Sequence, residues 1–349
     1  MKTTAAILVE TGKALELAEL DVPALRPGQV LVEIRASALC HTQLLEVRGH
    51  RGDDKFLPHC LGHEGLGTVL EVGSGVKKVK TGDAVVLSWM KGSGADVSGT
   101  TYQWNGRLVN AGAITTLSRQ AVISENRLTL IPASDLPKED RRFEMAFFGC
   151  AVPTGLGIVF NTAKVKSGQS VAVFGVGGIG LSAIIGAAIA GASPIVAVDI
   201  NPEKFDLAKK CGATHTLLNT NEILEDLKNI SRFGLDVAIE ATGVPSVMKI
   251  AFESVRNQGG IAVIAGNAKH GSKLEMDPRQ FNMGKNLFGT WGGDNHPDID
   301  FPKYFELYKT GRLSLAAFFA RPYRLSQINE AFDDLEKGAV LRPLIDMAG

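Results

Sequence analysis

A glycine-rich segment near the middle of the chain has the residue types and spacing of an anion-binding turn. It reads G-x-G-x-x-G, and the residues expected to contact the anion are Gly175, Gly177, Gly178, Ile179 and Gly180. The uncharged stretch 171–198 is long enough for a membrane span, but each clustered glycine would destabilise a helix by about 1 kcal/mol relative to alanine. We therefore predict a strand (Val171–Phe174), a tight turn and then a helix, whose N-terminus attracts phosphate.

A single acid closes the next apolar run. Asp199 stands nineteen positions after Gly180, at the end of a predicted second strand. A carboxylate at this place accepts hydrogen bonds from the ribose hydroxyls of NAD and repels the additional phosphate of NADP. The glycines alone would also fit a plain packing turn. The flanking β-rich runs and the acid at this distance predict an NAD site instead.

Two cysteines and a histidine have the chemistry of a metal site. Cys40, His63 and Cys150 would offer thiolate, imidazole and thiolate to zinc and leave a fourth position open, as in catalytic zinc sites. Their separations of 23 and 87 residues form no local motif. From the residue types alone, the alternative is that two buried thiols and a core histidine merely fill space.

Composition limits the possible partners. The 349-residue chain has 37 basic and 37 acidic side chains, so no excess charge would attract nucleic acid or an anionic membrane. We expect a small-molecule partner. The apolar run 5–9 is too short for a secretory signal, and the four cysteines show no paired spacing. These features predict a cytoplasmic protein whose cysteines are free thiols or metal ligands.

The elements that would position these residues fall into three segments, which together predict an α/β protein. Residues 1–151 contain short β-rich runs separated by Gly and Asp turns, typical of an antiparallel domain. Residues 152–290 alternate β-rich and helical runs, typical of a doubly wound parallel sheet. Residues 291–349 include apolar residues at helical spacing before Gly338. We expect this last segment to rejoin the first domain.

Several motifs, in this order along the chain, resemble the zinc-dependent medium-chain alcohol dehydrogenases. They are Ala38-Leu39-Cys40-His41-Thr42, the run GHEGLGTV at 62–69, Gly82-Asp83, Gly149-Cys150 and the glycine turn. The resemblance covers nearly the whole chain and implies a Rossmann domain plus a β-rich, GroES-like catalytic domain. From Gly149 to Gly293, the chain is most similar to the branch with classical, aryl-alcohol and glutathione-dependent formaldehyde dehydrogenases.

The resemblance implies one catalytic zinc ion, held by Cys40, His63 and Cys150, and hydride transfer between a zinc-bound alcohol and NAD. Thr42 matches the family's hydroxyl that hydrogen-bonds the alcohol and passes its proton outward. Glu64 matches a carboxylate behind the metal. The alternatives are an ordinary strand-end threonine for the first and an acid paired with a buried arginine for the second.

The resemblance also implies contacts to the cofactor and the substrate. His41 and Arg342 match residues that touch the pyrophosphate, Lys204 has the spacing of a lysine at the adenosine ribose, and Thr242 lies where the chain passes the ribose. Trp89 matches an aromatic wall of the substrate pocket. A solvated charge for Lys204 and a core position for Trp89 are the alternatives.

The chain departs from this family in three places. The polar stretch 91–112 lacks the four cysteines that hold a structural zinc in many members, so we expect one catalytic zinc and no structural zinc. Leu45 replaces a histidine that ends the proton relay in many relatives. Gln43 replaces an acid that orients the zinc-bound imidazole. Its amide oxygen could still accept that N–H, and we therefore predict weaker zinc binding.

Substrate and assembly are less constrained. Primary, benzylic and polyol substrates all fit the resemblance, and Tyr102, Trp104 and Arg107 in the polar stretch would either recognise a polar substrate or lie in a solvent loop. We expect a homodimer or homotetramer. Two other functions are a metal-free NAD(P)H quinone or enoyl reductase of the same fold, and a non-catalytic dinucleotide-binding protein. Cys40, Cys150 and Asp199 favour the dehydrogenase.

Overall fold

The computed structural model describes residues 1–318 and 322–348. The chain divides into two units. Unit 1 comprises Met1–Cys150, His296–Thr310 and Phe318–Gly349, and unit 2 comprises Ala151–Asn295 and Gly311–Ala317. The sequence places the domain boundaries after residues 151 and 290. The C-terminal segment, which the sequence joins to the first domain, contributes mainly to unit 1 and through residues 291–295 and 311–317 to unit 2.

Both units contain β-strands. In chain order they are β1 (Lys2–Leu8), β2 (Glu16–Asp21), β3 (Gln29–Ala38), β4 (His59–Cys60), β5 (Glu64–Val72), β6 (Ala84–Ser88), β7 (Thr100–Trp104), β8 (Arg107–Gly112), β9 (Gln120–Ser124), β10 (Leu128–Leu130), β11 (Val171–Phe174), β12 (Ile195–Asp199), β13 (His215–Leu218), β14 (Val237–Glu240), β15 (Ile261–Ile264), β16 (Asn286–Gly289), β17 (Tyr323–Arg324) and β18 (Leu344–Asp346).

The helices lie mostly in unit 2. In chain order they are α1 (His41–Val47), α2 (Ala151–Gly157), α3 (Gly178–Ala190), α4 (Phe205–Lys210), α5 (Ile223–Ile230), α6 (Pro245–Ser254), α7 (Arg279–Asn282), α8 (Pro297–Lys309) and α9 (Ile328–Lys337). A longer 3-10 segment, Glu139–Gly149, precedes α2, and a π-helical turn, Ile158–Thr162, follows it.

Unit 1 is a β structure, as predicted. Strands β1, β2, β7, β8 and β4 close a barrel, and a second sheet has the order β10-β6-β5-β3-β18-β17, with β9 also paired to β3. In β3, Val30, Val32 and Ile34 are buried in the core, and so is Leu31 on the other face, whereas Glu33 is half-buried and Arg35 is exposed. The alternation expected of a strand with one buried face is therefore limited to residues 32–35. Strand β18 pairs with the end of β3, which brings the C-terminal segment beside the first predicted metal ligand.

The polar stretch 91–112 of unit 1 is an ordered loop followed by the hairpin β7–β8. Glu125 organises the loop, because its carboxylate accepts the backbone N–H groups of Lys77, Lys78 and Ala95. Tyr102 is 1 % exposed, and its hydroxyl accepts the N–H of Val122 at 2.7 Å. Tyr102 is therefore a core residue of the barrel. The sequence had suggested either substrate recognition or a place in a solvent loop for it.

Trp104 and Arg107 lie at the turn of the same hairpin. The guanidinium of Arg107 lies 5.8 Å from the centroid of the Trp104 ring, a cation–π contact. Trp104 is half-buried and Arg107 is exposed.

Unit 2 is a parallel sheet with the order β13-β12-β11-β14-β15-β16. This is the strand order 3-2-1-4-5-6 of the doubly wound dinucleotide-binding fold, so the predicted fold class is confirmed. Every residue of β11 and β12 is buried, which explains why both strands read as continuous apolar runs. The strand order reverses between β12 and β14 on either side of β11, and ligands of such sheets bind at the carboxyl ends there.

Within the two described stretches, no single helix is long and apolar enough to cross a membrane. Two consecutive helical segments around Cys150 meet that length and composition only when they are taken together, across a bend.

Candidate functional site

The three predicted metal ligands meet in unit 1, together with one carboxylate. Cys40 precedes α1, His63 and Glu64 lie at the start of β5, and Cys150 follows the 3-10 segment. One potential ligand atom from each of the four residues lies within 4.8 Å of all the others. Both cysteines are at least 93 % buried. Residues that are far apart in sequence thus form one compact cluster.

The donor atoms of this cluster fit a zinc ion. The Nε2 atom of His63 is buried, and no hydrogen bond to it is present in the described part of the chain. Hydrogen bonding with Cys150 lowers the pKa of the Cys40 thiol well below its ordinary value, although burial opposes this, and it raises the pKa of Cys150. Two buried thiols beside the Nε2 atom of His63 offer the thiolate and imidazole ligands that zinc prefers.

The side-chain oxygen of Gln43 hydrogen-bonds the backbone of Cys40, the first predicted metal ligand, and not the imidazole of His63. The Oε1 atom of Gln43 accepts the backbone N–H of Cys40 at 2.9 Å, and the two residues form a capping box at the start of α1. The sequence suggested that this oxygen could accept the N–H of His63, but in the structure it is used for Cys40. The Nε2 atom of Gln43 is buried and has no hydrogen-bonding partner among the described residues.

Glu64 forms a buried ion pair with Arg342. The carboxylate is fully buried, the guanidinium is 4 % exposed, and Nη2 of Arg342 contacts Oε1 of Glu64. The C-terminal strand makes this contact possible, since the N–H of Leu39 donates to the carbonyl of Pro343 at 2.9 Å. The ion pair predicted as the alternative for Glu64 is therefore present, next to the metal cluster. A contact of Arg342 with a pyrophosphate stays a prediction.

Trp89 lies beside the metal cluster. Its indole Nε1 donates to the sulfur of Cys150 at 3.3 Å, and its carbonyl oxygen accepts a hydrogen bond from Arg127. Strand β6 ends at the preceding residue, Ser88, whose hydroxyl donates to the carbonyl of Gly149 at 2.6 Å. These bonds fix the position of the Trp89 ring relative to the second thiol ligand.

His41 and Thr42 form the first turn of α1, directly after Cys40. His41 is exposed and Thr42 is half-buried. Leu45, one turn further along the helix, is also half-buried. The hydroxyl of Thr42 is thus close in sequence to the thiol ligand, on an element that is anchored by the Cys40 capping box.

The glycine turn of unit 2 has the backbone geometry expected of a phosphate-binding turn. Gly175 has φ +96°, a conformation that favours glycine. A Cβ atom on Gly180 would lie 1.8 Å from the carbonyl oxygen of Gly175, so α3 packs closely on β11. A Cβ atom on Gly177 would have no neighbour within 4 Å among the described residues. Gly178 and Ile179 are the first residues of α3, which begins at this turn.

Asp199 lies against the same turn. Its Oδ2 atom accepts the N–H of Val176 at 2.7 Å, and its Oδ1 atom accepts the N–H of Asn201 at 2.9 Å. The ammonium of Lys204 is 3.3 Å from Oδ2. The structure therefore brings together the turn, the acid and the lysine that the sequence assigned to the dinucleotide.

Thr242 depends on a residue that the sequence analysis missed. Glu240 ends β14, is fully buried, and accepts the N–H groups of Thr242 and Gly243 as well as the hydroxyl of Thr242. Burial raises the pKa of the Glu240 carboxyl above its ordinary value. The sequence feature that could have identified Glu240 is its place as an acid at the end of the otherwise apolar run 237–240. Glu240 shapes the loop that carries Thr242.

Comparison with known proteins matches both units. Residues 26–133 match the alcohol dehydrogenase GroES-like domain, and residues 178–310 match the zinc-binding dehydrogenase domain. An S-(hydroxymethyl)glutathione dehydrogenase of Escherichia coli is 34 % identical over 99 % of this chain and 100 % of its own length.

Two solved structures share the whole fold. A zinc-binding-domain alcohol dehydrogenase protein from Burkholderia ambifaria is 30 % identical, with a TM-score of 0.90. The benzyl alcohol dehydrogenase from Acinetobacter calcoaceticus is 28 % identical, with a TM-score of 0.88. Each alignment covers 99 % of both chains.

Proposed function

Because this chain belongs to the zinc-dependent medium-chain alcohol dehydrogenase family, we propose that it oxidises a primary or benzylic alcohol with NAD. The observation that carries the proposal is the cluster of Cys40, His63 and Cys150, with its buried and unbonded imidazole nitrogen. These three residues would hold one zinc ion. A bound zinc ion would supply Lewis acidity that lowers the pKa of an alcohol hydroxyl, and bound NAD would supply the hydride acceptor.

The chain's own residues then handle the proton of the substrate hydroxyl. Thr42 is placed by α1 two positions after Cys40, and its hydroxyl can accept a hydrogen bond from the alcohol. His41 is exposed on the same turn and can exchange a proton with water. Leu45 has no group that carries a proton. The proposed path from Thr42 therefore leads to His41, water or the cofactor ribose.

The dinucleotide would be held by unit 2. The N–H groups at the start of α3 and the positive end of its dipole suit a pyrophosphate. Asp199 would accept the ribose hydroxyls, with Lys204 beside it, and Thr242 would lie near the second ribose, supported by Glu240. A 2′-phosphate would be placed against the Asp199 carboxylate, so we propose a preference for NAD over NADP.

The substrate class follows from the relatives and from Trp89. One similar protein is described as a benzyl alcohol dehydrogenase and another as an S-(hydroxymethyl)glutathione dehydrogenase. The Trp89 ring beside Cys150 offers an apolar aromatic surface, which suits an apolar or benzylic side chain better than a polyol. A metal-free quinone or enoyl reductase would not need two thiols and an imidazole in one cluster.

Initial rates of NAD reduction with matched primary aliphatic, benzylic and polyol substrates test this proposal. We expect the highest kcat/KM for aliphatic or benzylic alcohols, and lower rates with NADP. Turnover confined to polyols or sugars would refute the substrate class. Turnover with NADP equal to that with NAD would refute the role of Asp199.

Compartment and assembly are further proposals. The four cysteines are free thiols, which suits the reducing cytoplasm. A homodimer or homotetramer is proposed for the assembled enzyme, and light scattering on the purified protein measures it directly.

A further inference from the structure

A second group of potential metal ligands lies in unit 1, outside the site described above. Glu46 belongs to α1, Asp54 to the loop after it and His59 to β4, so all three fall between Cys40 and His63 in sequence. A carboxylate oxygen of Glu46, a carboxylate oxygen of Asp54 and a ring nitrogen of His59 all lie within 4.8 Å of one another. We call this group the Glu46–Asp54–His59 cluster.

The distances within the cluster fit the ligands of one ion. The Nε2 atom of His59 is 2.9 Å from Oδ2 of Asp54 and 3.9 Å from Oε1 of Glu46. Ligands that lie about 2.1 Å from zinc are about 3.0 Å apart at a right angle and about 4.2 Å apart when opposite. The 3.9 Å separation lies within this range, and the 2.9 Å separation lies about 0.1 Å below its lower end. A small displacement of the Asp54 side chain would therefore let one ion contact these side chains.

The fold orients the imidazole and one carboxylate through their outer atoms. The Nδ1 atom of His59 is 3.0 Å from the carbonyl oxygen of Cys60. Because a carbonyl only accepts, Nδ1 donates to it, and Nε2, which is hydrogen-bonded to Oδ2 of Asp54 at 2.9 Å, is the ring nitrogen that would bind an ion in place of this hydrogen bond. The other oxygen of Asp54, Oδ1, accepts the N–H of Phe56 at 2.9 Å. Metal-binding imidazoles and carboxylates are oriented by outer hydrogen bonds of this kind.

Charge and burial favour a cation in the cluster. The side chains of His59 and Asp54 are 9 % and 10 % exposed, and that of Glu46 is 28 % exposed. The guanidinium of Arg51 is 3.9 Å from Glu46, but it is half exposed. Poorly hydrated carboxylates need a paired charge or a metal. A divalent cation balances both carboxylates, whereas the Arg51 guanidinium lies near Glu46 alone.

We propose that the Glu46–Asp54–His59 cluster binds a second divalent cation, of the kind represented by Zn²⁺ and Co²⁺. One imidazole and two carboxylates suit such ions and leave further positions for water. The ion would join α1 to β4 and so restrain the segment that connects Cys40 and His63. It would raise the metal content from the one zinc expected from the sequence to two ions per chain.

Titration of the metal-free, full-length protein with Co²⁺ at pH 7.5 tests the proposal. The two sites are distinguishable because thiolate ligands give Co²⁺ an intense charge-transfer absorption, which imidazole and carboxylate ligands do not give. We expect two Co²⁺ ions per wild-type chain. The double variant Cys40→Ser, Cys150→Ser should bind one ion without charge-transfer absorption, and His59→Gln should bind one ion with it.

His50→Gln provides a matched control, because His50 is an exposed histidine in the same segment. This variant should bind two ions. One ion per wild-type chain, or two ions in His59→Gln, would overturn the proposal. These results are independent of turnover, so a chain that binds both ions without oxidising alcohols would refute the proposed function alone.

Asp54→Asn covers the case in which His59→Gln does not fold. It preserves the shape of the side chain and removes its charge. We expect the second ion to bind at least about tenfold more weakly, while circular dichroism stays that of the wild type. Unchanged affinity would overturn the proposal and leave the contact between His59 and Asp54 as an ordinary hydrogen bond.

Discussion

The indole nitrogen of Trp89 lies 3.3 Å from the sulfur of Cys150, so an aromatic residue expected to line the substrate pocket also donates a hydrogen bond to a metal ligand. A thiolate that accepts a hydrogen bond would give less electron density to a zinc ion held by Cys40, His63 and Cys150, and such an ion would be the stronger Lewis acid. Trp89 therefore combines a steric and an electronic contribution at one position.

Trp89→Phe separates these two contributions, because phenylalanine keeps an aromatic ring and lacks the N–H. A hydrogen bond to a charged acceptor contributes about 1.5 kcal/mol, so we expect its loss to make the bound metal a weaker Lewis acid and to lower kcat by up to about tenfold. The sulfur-to-cobalt charge-transfer band of the Co²⁺ form should move to longer wavelength. Trp291→Phe, at a residue 71 % exposed in unit 2, is the control. Identical spectra for wild type and Trp89→Phe would contradict this role.

Glu64→Gln should destabilise the protein. The variant leaves the Arg342 guanidinium buried without an opposite charge, and such a change costs about 3 kcal/mol in the free energy of unfolding. Denaturant unfolding measures the loss. The double variant Glu64→Gln, Arg342→Met should recover a large part of it. If the losses of the two single variants simply add in the double variant, the ion pair is not coupled.

Two glycines of the phosphate-binding turn should respond differently to alanine. Gly180→Ala places a methyl group against the Gly175 carbonyl, and we expect a lower melting temperature and loss of NAD binding. Gly177→Ala meets no described neighbour within 4 Å, so stability should change little, whereas NAD affinity should fall because the methyl group occupies the approach of the pyrophosphate. Thermal unfolding measures the melting temperature, and titration calorimetry with NAD measures the affinity. Equal NAD affinity for Gly177→Ala and wild type would contradict the assigned phosphate site.

The buried Glu240 predicts a pH dependence of stability. Burial raises the pKa of this carboxyl in the folded state, so the folded protein holds the proton more tightly than the unfolded chain. Its contribution to stability is complete below the unfolded pKa and is lost as the pH rises through the folded pKa. Glu240→Gln should therefore be relatively more stable at pH 8 than at pH 4, compared with wild type. Melting temperatures that differ by the same amount at both pH values would contradict this.

The arrangement of the glycine turn and Asp199 could be predicted from the sequence because its determinants are local. The turn, the following helix and Asp199 lie within one β-α-β unit, where spacing and apolar runs fix their relative positions. Glu240 was not predicted, because its role depends on how it folds back onto the N–H groups of Thr242 and Gly243.

The metal site could be predicted only through the family resemblance, because sequence separations of 23 and 87 residues give no pattern for Cys40, His63 and Cys150. The spacing also says nothing about the oxygen of Gln43, which the structure assigns to Cys40. The same limit applies to the Glu46–Asp54–His59 cluster. Its members come together only through the path of the loop between α1 and β4.

Zinc dependence of alcohol oxidation tests the central claim most directly. The initial rate of NAD reduction with benzyl alcohol is measured for the native enzyme, after zinc removal by a chelator, after zinc is restored, and for Cys150→Ser. We predict turnover that is lost on zinc removal, regained with zinc, and absent from a folded Cys150→Ser variant. Turnover that persists in the zinc-free protein or in Cys150→Ser would contradict the assignment of Cys40, His63 and Cys150 as the catalytic metal site.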